Sequence, residues 1–263
     1  MRLDALPLNQ PIWFDLMTSD VEAARRYYGE LLPWQYDVSG PEMGHYSMAN
    51  VGGASAAGIG ALPPGATFPP VWTVYFGVEN AEATCAAITK AGGSVHTPPQ
   101  DVAEFGRFAV AQDPTGAVFA IWQPKQHRGA QIINEPGAMA WCEVNTRDAK
   151  AAKEFYAKVF GLTAKSMEVP GSPGPYDMLF LGETPACGVL QMTEEWGDMP
   201  PHWMTYLAVQ DVEKAKATVL KNGGQVPFGP IEIPYGKFMV TMDPQGAAVS
   251  LIELNASPPP SRG

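Results

Sequence analysis

Two carboxylates in this chain stand where an acid is able to do chemistry. Asp15 lies in Ile12-Trp13-Phe14-Asp15-Leu16-Met17, and Glu143 in Ala140-Trp141-Cys142-Glu143-Val144-Asn145, each two residues after a tryptophan. Alternation of this kind is a strand with two faces, so each acid shares its face with an indole. A carboxyl group against aromatic surface loses hydration and its pKa rises, which suits it to act as a general base beside a bound carbonyl. His202 stands two before Met204 and four before Tyr206, on one face of another alternating strand. There an imidazole could join Glu143 as an acid–base pair or an irregular metal site. The plainer roles are acids satisfied by tyrosine hydroxyls or backbone N–H groups, and a histidine on a rim. His127 in a connecting segment, and His45 and His96 near strand ends, are expected at the surface.

The segments that hold these residues repeat. At an offset of 128 residues (141 − 13), Trp13 meets Trp141, Asp15 meets Glu143, Asp20 meets Asp148 and Tyr28 meets Tyr156. After each alternating strand the period becomes helical. Ser19 or Asp20 can cap the first helix, Glu22 completes a Ser-x-x-Glu box, and Ala24, Tyr27, Tyr28 and Leu31 form one apolar stripe. Ala152, Phe155, Tyr156 and Val159 repeat it.

Short β-like runs follow at Trp34–Asp37, Tyr46–Ala49 and Ala54–Gly60. A second unit opens with a strand from Trp72 to Val78, then a helix from Asn80 to about Ala91 stopped by Gly92-Gly93, then strands near Ser94–His96, Arg107–Gln112 and Ala117–Gln123. Each half therefore contains two βαβββ modules. The expected division is domain 1 over 1–123, a linker over 124–137, domain 2 over 138–255, and a disordered tail over 256–263. In domain 2, Trp203–Val209 and Asp211–Lys221 repeat the strand and helix. Asp113-Pro-Thr-Gly116 and Asp243-Pro-Gln-Gly246 are matching turns before the closing strands.

Composition narrows the function. A formal charge of −10 with only 17 Lys+Arg among 263 residues argues against nucleic acid or an anionic membrane as partner. Without a long apolar run or a signal-like start, the protein is expected to be cytoplasmic. Cys85, Cys142 and Cys187 show neither disulfide nor zinc spacing and are expected as small buried residues. Arg107 and Lys237 follow Gly106 and Gly236 at matching positions and are expected on solvated strand faces. Gly52-Gly53 and Gly58-x-Gly60 do not lead from a strand into a helix, so they are not a phosphate loop.

Four βαβββ units in pairs, the Asp20…Tyr28 and Asp148…Tyr156 helices and the two Asp-Pro-x-Gly turns resemble the vicinal oxygen chelate superfamily of glyoxalase I, bleomycin-resistance proteins and extradiol dioxygenases. Trp122–His127, Asn134–Gly137, Pro201-His202-Trp203 and Asp243–Ala247 are similar to its two-domain glyoxalase-like branch, which includes mycobacterial culture-filtrate antigens. The resemblance implies an α+β fold in which each domain curls a mixed sheet into a cup with helices on the outer face. In metal-using members, the first strand of each module and a Glu on the closing strand hold a cation. The matching positions here are Trp13, Thr73 and Ala120 in domain 1, and Trp141, Met204 and Ser250 in domain 2. None is a carboxylate or imidazole, so no cofactor is expected, and a divalent metal is left only an atypical place near His202.

Alternation then puts Trp13, Asp15, Thr73, Tyr75, Ala120 and Trp122 on one cup wall, and Trp141, Glu143, Met204, Tyr206, Ser250 and Ile252 on the other. These aromatics either fill the cups or line a ligand site. The expected function is binding of a small oxygenated or aromatic molecule without the family's metal. The alternatives are a lyase, isomerase or hydroxylase using Asp15 or Glu143 as base or a metal near His202, and a non-catalytic drug- or metabolite-sequestering protein. The chain is expected as a monomer with paired domains or as a homodimer.

Overall fold

The structure, a computed structural model, describes residues 1–169 and 174–255. The expected tail over 256–263 lies outside the described residues. The first module comprises β1 (Pro11–Thr18), α1 (Val21–Leu31), β2 (Gln35–Val38), β3 (Ser47–Val51) and β4 (Ala54–Ala61). The second comprises β5 (Val71–Gly77), α2 (Ala81–Lys90), β6 (Ser94–Val102), β7 (Gly106–Gln112) and β8 (Val118–Pro124). Domain 2 repeats the plan with β9 (Met139–Thr146), α3 (Ala149–Phe160), β10 (Thr163–Met167), β11 (Tyr176–Leu181) and β12 (Thr184–Gln191). Its last module is β13 (His202–Val209), α4 (Val212–Lys221), β14 (Gln225–Ile233), β15 (Gly236–Met242) and β16 (Ala248–Leu254).

The four α-helices among the described residues start the same way. Asp20, Asn80, Asp148 and Asp211 each accept the backbone N–H three residues on, from Ala23, Ala83, Ala151 and Lys214. Such a cap contributes about 1 kcal/mol. The Ser-x-x-Glu box does not form. The Ser19 hydroxyl turns to Gln245 Oε1 at 2.7 Å, and Glu22 faces Arg26 one turn on. Asp20 is the cap because its own side chain reaches back into the first turn.

Each domain is one eight-stranded mixed sheet, in the order β2-β3-β4-β1-β5-β8-β7-β6 and its repeat β10-β11-β12-β9-β13-β16-β15-β14. At the centre β1 runs antiparallel to β5, pairing Asp15 with Thr73 and Trp13 with Tyr75. The β9·β13 pair sets Glu143 opposite Met204, Trp141 opposite Tyr206 and Asn145 opposite His202. β6 runs past the expected His96 to Val102, through Pro98-Pro99, with two register shifts against β7. It tolerates the prolines because it is an edge strand, where a missing N–H costs little.

The helices cover the sheet faces opposite the cups, and these faces meet. Ala24, Tyr27 and Tyr28 of α1 share a core with Val212, Ala215 and Val219 of α4. Cys85 and Ile88 of α2 share another with Ala152, Phe155 and Tyr156 of α3. Polar bonds cross between the domains at equivalent places. The Tyr28 hydroxyl donates to Asp243 Oδ2 at 3.1 Å, and the Tyr156 hydroxyl to Asp113 Oδ2 at 2.9 Å. Each aspartate also ties down its own turn, Asp113 Oδ1 accepting from Thr115, Gly116 and Ala117, and Asp243 Oδ1 from Gln245 and Ala247. The Asp-Pro-x-Gly segments are turns, as expected, and docking points as well.

Candidate functional site

The two cups differ. Domain 2 holds a cavity of about 560 Å³ walled by Trp141, Glu143, Met204, Tyr206 and Ile252 from its central strands. Tyr176 and Met178 of β11 close one side, and Phe228 and Phe238 of β14 and β15 the other. Glu195, Trp196 and Met199 stand at its edge on and after the 3-10 turn Glu194–Trp196. The Arg147 guanidinium holds that loop by donating to the carbonyls of Thr193, Gly197 and Met199.

In domain 1 the corresponding aromatics are packed against the connecting segment. The His127 ring lies edge-on to Trp13, with centroids 4.4 Å apart, and 5.6 Å from Trp122. Trp122 Nε1 donates to the His127 carbonyl at 2.8 Å. His127 is therefore not the surface residue expected. It follows β8 directly, and a turn back onto Phe105 carries its ring into the cup, where Nε2 is buried without a hydrogen-bond partner. Burial holds this imidazole down at about 4. Elsewhere in the connection Ala130, Ile132 and Ile133 are buried. His45 and His96 are exposed, as expected.

Both cups contain the same polar assembly. In domain 1 Asp15 Oδ2 accepts from Tyr46 at 3.0 Å and Tyr75 at 3.1 Å, while Trp13 Nε1 donates to the Tyr46 hydroxyl at 3.2 Å. In domain 2 Glu143 Oε1 accepts from Tyr206 at 2.7 Å, Tyr176 also bonds Glu143, and Trp141 Nε1 donates to Tyr176 at 2.6 Å. Among the described residues no cation acts on either acid. Burial raises Asp15 to about 7 against the pull of its two tyrosine bonds. Burial likewise raises Glu143, opposed by Tyr206 and Tyr176.

Tyr46 and Tyr176 were not among the expected site residues. Each comes from outside the central strand pair and crosses over a glycine to reach its acid. The glycines are Gly58, paired with Asp15, and Gly188, paired with Glu143. A Cβ at either would collide with the tyrosine hydroxyl. The repeated pairing of glycine with tyrosine was the available signal, but it has meaning only once the strand register is known.

His202 reaches the cavity, but its partner is Asn145 rather than Glu143. Its Nε2 lies 3.0 Å from Asn145 Nδ2 and its Nδ1 2.9 Å from the Pro200 carbonyl. Burial lowers its pKa, against the Pro200 bond. Ser250 is buried beside Tyr206 and does not reach the cavity wall. Thr73 is half-buried, and Tyr75, Ala120 and Trp122 are buried. Arg107 and Lys237 have local partners: Arg107 reaches Glu82 at 2.7 Å and Lys237 reaches Glu213 at 2.5 Å, each an acid in the first turn of a helix. The three cysteines are buried, as expected.

The residues at the family's cation positions fit a divalent ion poorly: Trp13, Ala120, Trp141 and Met204 carry no donor for a hard cation, and Thr73 and Ser250 carry only neutral hydroxyls. Among the described residues no group of three or more His, Cys, Asp or Glu converges as metal ligands.

Tandem βαβββ sheets curled into cups define a family. The model of the Glyoxalase/Bleomycin resistance protein/Dioxygenase superfamily matches the chain twice, over residues 10–121 and 138–251. The chain belongs to this superfamily and is a glyoxalase-like small-molecule-binding protein. It is 38% identical over 249 residues to CFP32 of Mycobacterium tuberculosis, provisionally named a glyoxylase, with 92% of this chain and 94% of that one covered. The anthracycline biosynthesis protein DnrV of Streptomyces peucetius is 33% identical over 267 residues, covering 96% of both. Among solved structures, the 2,3-dioxygenase LapB of Pseudomonas sp. KL28 superposes with a TM-score of 0.64 at 14% identity, covering 97% of this chain and 95% of that one. At that identity the likeness is one of fold.

Proposed function

We propose that the domain 2 cup binds one flat, oxygenated aromatic molecule per chain, without the family's divalent metal, while the domain 1 cup is a filled structural counterpart. The observation that carries this is the contrast between the 560 Å³ aromatic cavity over Glu143 and the His127 ring packed against Trp13. A cavity of this size, largely apolar with a few placed polar groups, has the composition of a small-molecule site. The naming of a relative for anthracycline biosynthesis supports a fused-ring ligand. Trp141, Met204 and Tyr206 supply its walls, and Glu143 the hydrogen bond that orients it. No nucleic acid or membrane takes part. No helix among the described residues is long and apolar enough to cross a membrane.

The test is a titration of hydroxylated naphthalenes and anthraquinones followed by tryptophan fluorescence. The expected result is one equivalent bound, with the quenching lost in Trp141→Phe and kept in Trp13→Phe. Binding of none, or a response from Trp13 alone, overturns the proposal. Metal analysis of protein purified without added metal is expected to show no divalent ion. A stoichiometric ion would overturn that part.

A second reading is favoured by one observation: Glu143 is buried, raised in pKa and held by two tyrosines on the cavity wall. It is then the general base that removes a proton next to a ligand carbonyl, with Tyr206 beside the oxygen that gains charge. Asp15 has the same chemistry but lies under a filled cup. Turnover of an α-oxoaldehyde or other carbonyl substrate is expected to fall about 10²- to 10⁴-fold in Glu143→Gln with binding retained. An unchanged rate excludes Glu143 as the base.

A further inference from the structure

The polar wall of the domain 2 cavity is one-sided in charge and in hydrogen bonding. Its charged side chains are both acids, Glu143 within and Glu195 at the edge, and no lysine or arginine among the described residues lines it. Several cations elsewhere in the domain have other partners. Arg147 donates to three loop carbonyls, Lys153 pairs with Asp177, Lys165 with Glu183 and Lys237 with Glu213.

The orientation of Asn145 follows from its neighbour. The Pro200 carbonyl only accepts, so the His202 nitrogen facing it, Nδ1, carries the proton. Nε2 of the neutral ring then accepts from Asn145 Nδ2. Asn145 Oδ1 is left without a partner, although the residue is only 2% exposed and lies on the cavity wall. An unpaired buried acceptor is costly, and a donor on a bound molecule relieves it.

We propose that this cavity selects a ligand that brings hydrogen-bond donors and no negative charge. The favoured class is a hydroxylated flat ring system, with a hydroxyl directed to Asn145 Oδ1 and, where the molecule has one, a protonated amine beside Glu195 and the face of Trp196. The inference rests on the reading of domain 2 as the ligand site. It adds that the charge of the ligand, not its flatness alone, decides entry. An ammonium gains from both the carboxylate and the indole face, whereas a carboxylate or sulfonate finds no cation.

Calorimetric titration with naphthalene, a dihydroxynaphthalene, its aminomethyl derivative and its carboxylate tests this. At low salt the aminomethyl compound is expected to bind tightest and the carboxylate weakest, with steps of about fivefold that shrink as salt is added. Glu195→Gln is expected to remove the advantage of the amine and leave the neutral diol unchanged. Asn145→Leu is expected to weaken the diol relative to naphthalene. Equal binding of all charge types, or preference for the carboxylate, overturns the inference while leaving the ligand site standing. Failure of every compound to bind overturns both.

Discussion

A buried carboxylic acid facing two tyrosine hydroxyls and no cation is held between opposing forces: desolvation favours its neutral form, and the hydroxyls favour its anion. In Asp15 desolvation wins, with the folded group near 7 against 3.8 when free. Stability from Asp15 is therefore fully present below about pH 4 and is lost as pH rises through about 7. His127, held down at about 4 against 6.5, acts in the opposite sense, its contribution being lost as pH falls from about 6.5 towards 4. In the wild type the two slopes offset one another. Urea unfolding at a series of pH values is expected to separate them. The stability of wild type minus Asp15→Asn should rise by up to about 4 kcal/mol between about pH 7.5 and 4. The difference from His127→Phe should fall over the same range. A pair of flat differences would show that neither group is desolvated as described. Asp15 and Glu143 were legible because alternation alone puts them beside tryptophan. Tyr46, Tyr176 and Asn145 were not, because their part depends on which strands lie alongside.

At the scale of elements, the strand and helix plan follows from two periods and four caps, and those are local. The crossing of Tyr46 over β4 and of Tyr176 over β12 is not local, since it needs a glycine opposite the acid on a neighbouring parallel strand. Gly58→Ala and Gly188→Ala are each expected to displace a tyrosine and cost about 1–3 kcal/mol through overpacking, measured by denaturant unfolding. They should differ in function. Gly188→Ala disturbs the wall of the open cavity and should abolish ligand binding, whereas Gly58→Ala acts beneath the filled cup and should leave it intact. Equal effects on binding would show that the cups are not divided into open and filled. The β6 edge strand marks another limit of local reading: Pro98-Pro99 argues for a break, yet an outermost strand has no partner to lose on its free side.

Across the whole molecule, two cores that each draw on both domains make independent unfolding of either one costly. Tyr28 and Tyr156 add a buried bond across the junction, each also accepting from an indole, Trp72 at 3.2 Å and Trp203 at 3.0 Å. Tyr28→Phe and Tyr156→Phe leave a buried carboxylate oxygen and an indole N–H unpaired, and each is expected to cost about 1–3 kcal/mol. Calorimetry should show a single transition at lowered Tm for both variants. Two separate transitions would refute the shared cores.

The amino-acid order by itself determined the duplication, the four βαβββ modules, the turns, the family and the two acids on aromatic strand faces, because each is written in spacings of a few residues. Only the tertiary structure decided that His127 packs against Trp13 in one cup while the other holds a cavity of about 560 Å³. That difference rests on where the chain after β8 folds back, and on the ring of His127 meeting Trp13, a residue 114 positions earlier (127 − 13). No periodicity records such a meeting, since the free energy that holds it comes from burial between segments that are strangers in sequence.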